Sequence, residues 1–85
     1  MSNSYLIVPA ETLVQLRALR LWHWRELLDN RAKANYFRKD GQEEITKLFD
    51  DAANVHLAAV QTLNDLFPMG ETAESDAQRE KELKP

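Results

Sequence analysis

The chain contains no cysteine. This excludes a disulfide framework and any thiolate metal site, and it fits a reducing cytoplasm. Glycine and proline are scarce, with two and three residues. Frequent chain reversals need those residues, so their scarcity argues for long uninterrupted helices over many short strands. The apolar run at the N-terminus, Tyr5-Leu6-Ile7-Val8, has four residues and no Lys or Arg before it. It is too short for a signal-peptide core or a membrane span, so a soluble cytoplasmic protein is expected. With 85 residues, the chain has room for one small domain.

Motifs that carry chemistry are missing as well. There is no Gly-rich phosphate loop, no HExxH and no EF-hand pattern. His23 and His56 are the only histidines. His23 and Glu26 share a helical spacing, but a di-metal carboxylate bundle needs a Glu-x-x-His on two helices. Ala53 stands three residues before His56, so the pattern fails. Neither a metal, a cofactor nor a catalytic residue is expected, and the chain reads as a non-enzymatic binder.

What is present is helical periodicity in two blocks. Pro9 suits the opening of a helix that runs to Arg38, because its missing N–H costs nothing in a first turn. One face collects Leu13, Leu16, Leu21, Trp24, Leu27 and Leu28, while Leu19, Trp22 and Phe37 fall on the other side. The middle of this helix is apolar nearly all round. Residues 39–41 read as a turn, with Asp40 and Glu43 spaced as a capping box and Gly41 as the bend. A second helix is expected from Gly41 to Phe67, stopped by Pro68 and Gly70. Its stripe holds Ile45, Leu48, Phe49, Ala52, Val55, His56, Ala59, Val60 and Leu63. The phases of the two stripes also permit one continuous helix through Asp40-Gly41. A lead (1–8) and a flexible charged tail (68–85), with transient helix expected over residues 75–83, complete the division, the hairpin being 9–67.

The expected architecture is all-α: a helical hairpin that dimerises into an antiparallel four-helix bundle. Two rods of roughly 40 Å make one thin interface and no enclosed core. Without a disulfide or metal, that rarely offsets conformational entropy. A second copy would supply the missing surface. The predicted dimer core is Ile45, Phe49, Ala52, His56, Ala59 and Leu63. The partner or dimer contacts are Leu19, Arg20, Trp22, Trp24 and Phe37, since Trp and Arg clusters typify binding hot spots. His56, alone in the stripe, is expected to fix register or to take a satisfied hydrogen bond. Arg17, Arg20 and Arg31 are expected to pack their stems and keep their heads in water.

Charge is uneven. Residues 9–39 carry seven basic and three acidic side chains, and residues 40–85 carry four and eleven. Helices of opposite charge attract one another. The alternative function is a nucleic-acid-binding regulator using Arg31, Lys33, Arg38 and Lys39, with Tyr36 and Phe37 between them to stack a base.

The stretch Ala59-Val60-Gln61-Thr62-Leu63-Asn64-Asp65-Leu66-Phe67-Pro68, followed by Gly70-Glu71-Thr72-Ala73-Glu74, resembles small uncharacterised helical accessory proteins of enterobacterial phages and prophages. The resemblance covers the second helix and the start of the tail. It implies an accessory protein that modulates a host or phage protein, with no functional residues to carry over.

Overall fold

The computed structural model describes residues 9–67 and 70–83. The expected lead, Pro68 as a helix stop and Met69 lie outside them. Three helices form in chain order: α1 (Ala10–Lys39), α2 (Glu43–Asn64) and α3 (Ala73–Leu83), with no strand among the described residues. None of these helices is long and apolar enough to cross a membrane.

α1 and α2 pack as a hairpin with a seven-residue repeat. Arg20, Leu27 and Ala34 are buried on α1; Thr46, Ala53 and Val60, with Leu63 and Phe67 beyond, are buried from α2 onward. That spacing is the seam of a two-stranded antiparallel coil. Small residues at Ala34 and Ala53 allow close approach of the backbones. Thr46 is tolerated in the seam because its hydroxyl donates to the Gln42 carbonyl at 2.8 Å.

The turn settles the continuous-helix alternative. Gly41 adopts φ 75°, its N–H donates to the Arg38 carbonyl, and the Gln42 N–H donates to the Phe37 carbonyl. This pair of bonds is a Schellman stop with glycine at the left-handed position. The capping box expected of Asp40 and Glu43 is corrected. Asp40 ends α1, Gln42 precedes α2 without a side-chain cap, and the Asp40 carboxylate accepts from the Gln42 amide instead. Beside the turn, Phe37 and Phe49 stack with their planes 2° apart and centroids at 5.6 Å. At the other end of α2, regular helix stops at Asn64, and residues 65–67 continue as turns.

In the tail, helix forms where transient helix is expected, and the correction concerns its mobility: Ala73–Leu83 is seated on α1. Thr72 and Ser75 begin it with reciprocal bonds: the Ser75 N–H donates to Thr72 Oγ1, and the Thr72 N–H donates to Ser75 Oγ. That is a capping box with serine in the place of the usual acid. The seat on α1 depends on charge more than on grease. Arg17 makes a bidentate pair with Glu71; Arg20 makes a single bond to Asp76 through Nε, and Arg25 pairs with Glu80. Apolar content alone therefore undercounts what holds this segment. The whole is a slab, 50 × 37 × 19 Å along its principal axes, about two helix diameters in its thinnest direction.

Candidate functional site

α3 occupies one side of the hairpin and leaves the other open. On α1, Val14, Arg17, Ala18 and Leu21 turn toward α3 and with it line a groove of about 330 Å³. Leu19 and Trp22 project from the opposite flank, with Trp22 51% exposed. Trp22 lies edge-on to His56 of α2, with ring centroids at 5.4 Å. Helical phase then puts Val55, Ala52 and Ala59 beside it and Leu48 about two turns away, with Leu66 further along, just past the end of α2. Val55 is 67% and Leu48 68% exposed. The stripe of α2 is thus wider than the seam needs, and its outer half joins Leu19 and Trp22 in one apolar surface.

At the centre of this surface, the seam holds a polar contact. His23 Nδ1 and His56 Nδ1 approach to 2.8 Å, one ring donating and the other accepting. Trp22 also meets His23 edge-on, at 4.8 Å. Burial first, and then the nearness of His56, lowers the pKa of His23 from the ordinary imidazole value; Glu26 opposes both. His56 therefore has the satisfied hydrogen bond expected of it, but its partner is the other histidine. With Glu26 near His23 the metal question returns, yet no group of three or more His, Asp or Glu among the described residues could hold an ion.

The predicted contact residues separate into three kinds. Leu19 and Trp22 lie on the open surface. Trp24 is half-buried, and Phe37 is engaged by Phe49 within the chain. Arg20 is overturned as a surface contact and as a residue with its head in water: it is fully buried. Its Nε donates to Asp76 at 2.7 Å, its Nη1 donates to Asn64 Oδ1 and the Glu71 carbonyl, and its guanidinium lies 4.1 Å from the Phe67 ring centroid. Arg20 ties all three segments together and has no surface left for a partner. Of the predicted dimer core, Leu63 is buried within the chain; Ile45, Phe49, Ala52, His56 and Ala59 are half-buried. Sequence reasoning missed Asn64, Glu71 and Asp76, which complete the arginine site. The arginines at 17, 20 and 25 and the acids at 71, 76 and 80 were the available signal.

In the basic segment, Lys33 pairs with Asp29 and Arg38 with Asp50. Arg31 and Lys39 are exposed. Beside the turn, a hollow of about 440 Å³ is lined by charges of both signs, among them Arg38, Glu43, Lys47 and Asp50. No protein-family model, no curated protein and no solved structure matches the chain.

Proposed function

We propose that the protein is a non-enzymatic interaction module whose open surface, centred on Trp22 and Val55, docks a second copy of the chain. One observation carries this reading. Leu19, Trp22, Leu48, Val55 and Leu66 are all exposed, while α3 covers the other side of α1. A surface two helices wide and about 30 Å long offers roughly 600–800 Å², the contribution of each partner to a standard stable interface. A projecting indole beside the small residues Ala52 and Ala59 supplies a knob and a recess on one surface, which is what a two-fold contact requires. The hairpins then meet as four helices, with each α3 outermost. The resemblance to phage accessory proteins extends the reading to a small regulator in the cytoplasm that binds, and by binding inhibits, a host or phage protein.

The polar groups near the surface support binding over catalysis. The histidines bond to each other, and the buried arginine and aspartate are consumed in holding helices together. The nucleic-acid reading loses ground because two of its four cations are already paired with carboxylates.

Sedimentation equilibrium of the chain and of Val55→Asp tests the proposal. The expected result is a dimer for the parent chain and a monomer of unchanged helicity for the variant. A parent chain that stays monomeric at roughly 100 times micromolar concentration, well above the usual range for such interfaces, overturns it.

A further inference from the structure

The contact between His23 and His56 has a proton requirement. Nδ1 atoms at 2.8 Å form a hydrogen bond only if one carries hydrogen and the other presents a lone pair. The neutral pair meets this condition with one ring protonated at Nδ1 and its neighbour at Nε2. A pair holding one added proton still meets it, because the imidazolium donates from Nδ1 and the neutral ring accepts, with charge strengthening the bond. A second added proton places hydrogen on both Nδ1 atoms. The bond is then lost, and two like charges face each other.

The surroundings do little to accommodate that second charge. Among the described groups acting on His23, Glu26 of α1 is the one that favours the charged ring, and it is outweighed by burial and by His56. On α2, the positions one turn either side of His56 are Ala52, Ala53, Ala59 and Val60, none of them charged. α3, with Asp76, Arg79 and Glu80, packs on the opposite flank of α1. Trp22 is in edge contact with both imidazoles, at 4.8 and 5.4 Å, so separating the rings removes two of its supports.

We infer that the His23–His56 pair is an acid-sensitive clasp on the open surface, which holds Trp22 in position for a second copy while the rings share a hydrogen bond and releases it when both are protonated. The inference rests on the docking role proposed above. Self-association is then strong at neutral pH and weakened in mild acid.

The dissociation constant of the dimer is to be measured at pH 7.5 and pH 5 for the parent chain and for His56→Asn, whose amide oxygen accepts from His23 and does not titrate. At pH 5 ordinary carboxylates remain largely ionised, so the ion pairs of α3 are kept. The parent is expected to lose affinity by ~10-fold or more, the equivalent of about one unit of differential protonation, and the variant by less than ~2-fold. His23→Asn serves as the mirror variant if His56→Asn does not fold. Equal affinity of the parent at both pH values, or full pH dependence retained in the Asn variants, overturns the clasp. A chain monomeric at both pH values overturns the docking role instead. In that event long-range 15N spectra of the monomer still decide the clasp. One bare and one protonated Nδ1 at pH 7.5, with an indole signal of Trp22 that shifts as the second ring protonates, supports it; two protonated Nδ1 atoms at pH 7.5 overturn it.

Discussion

Arg20 and Asp76, 56 residues apart in the chain, meet at 2.7 Å with neither side chain open to solvent to any useful degree. Each keeps one atom without a hydrogen bond. Arg20 Nη2 stands 3.8 Å from the Glu71 carboxylate, and Asp76 Oδ1 stands 3.7 Å from Arg79. Removing two charges from water is costly, and the attraction between them repays it only while both are present. α3 has few apolar side chains with which to dock, so its place on α1 depends on this pair.

Deleting one partner therefore costs more than the pair is worth. Arg20→Ala or Asp76→Asn is expected to lower the unfolding free energy by about 3–5 kcal/mol, the usual penalty for an abandoned buried charge. Replacing both, with Arg20→Met and Asp76→Leu, should recover most of that loss. Urea unfolding followed by circular dichroism measures all three. A loss below about 1 kcal/mol in the single variants would mean that water reaches the site and the pair is effectively a surface one.

Glu71 gives α3 a pH dependence of its own. The hydrogen bond from Arg17 holds the Glu71 carboxyl below its ordinary value of 4.5, against the opposing effect of burial. A carboxylate whose pKa is depressed by folding adds stability above its unfolded pKa and loses it as pH falls through the folded one. Amide protection in 73–83 should therefore be steady above about pH 4.5 and decline below it. Glu71→Gln should flatten the part of that decline due to Glu71. Hydrogen exchange across pH 3–6 reads both; an unchanged decline in Glu71→Gln would assign it elsewhere.

What could be read from the sequence follows from what each signal measures. Apolar period and glycine placement located α1, α2 and the turn at Gly41, because those elements are specified locally and by one repeating contact. The seam includes Thr46, which apolar period passes over, and Arg20, whose stem is expected to pack but whose head is buried as well. From its own residues α3 reads as a mobile tail with transient helix, because its contacts are charges supplied by α1, far earlier in the chain. The excess of apolar residues on α1 pointed to Trp22 and Leu19, but the same reasoning took in Phe37, which Phe49 had already claimed. Pairing across a hairpin depends on register, and register appears only once the turn is known.

The basic segment supplies another expectation. Asp29 holds Lys33 by an ion pair and, through its hydrogen bond, raises the pKa of that ammonium; Asp50 engages Arg38. Phosphate would have to displace two carboxylates before it met four free cations. Affinity for duplex or single-stranded DNA at 0.1 M salt, roughly the ionic strength at which exposed charges still act over one Debye length of about 10 Å, should be negligible. Any weak binding at lower salt should have a slope of no more than about two phosphates. A slope of four in a fluorescence titration would instead require Arg31, Lys33, Arg38 and Lys39 to act together.

Trp22 and Phe37, both outside the expected stripe on α1, provide the sharpest contrast. Phe37 is half-buried and stacked on Phe49 inside the chain, whereas Trp22 keeps half of its surface exposed. Phe37→Ala should thus lower stability by about 1–3 kcal/mol, less than the full cost of emptying a buried phenylalanine site, while leaving the dimer constant nearly unchanged once the chain is folded. Trp22→Ala should do the reverse. It removes modest support from the histidine rings within the chain, but it should weaken self-association by about 2 kcal/mol or more, as loss of a central tryptophan does in other interfaces. Paired unfolding and sedimentation measurements on the two variants separate the effects. If Trp22→Ala costs as much stability as Phe37→Ala and leaves association intact, the indole belongs to the fold of one chain and the docking surface must lie elsewhere.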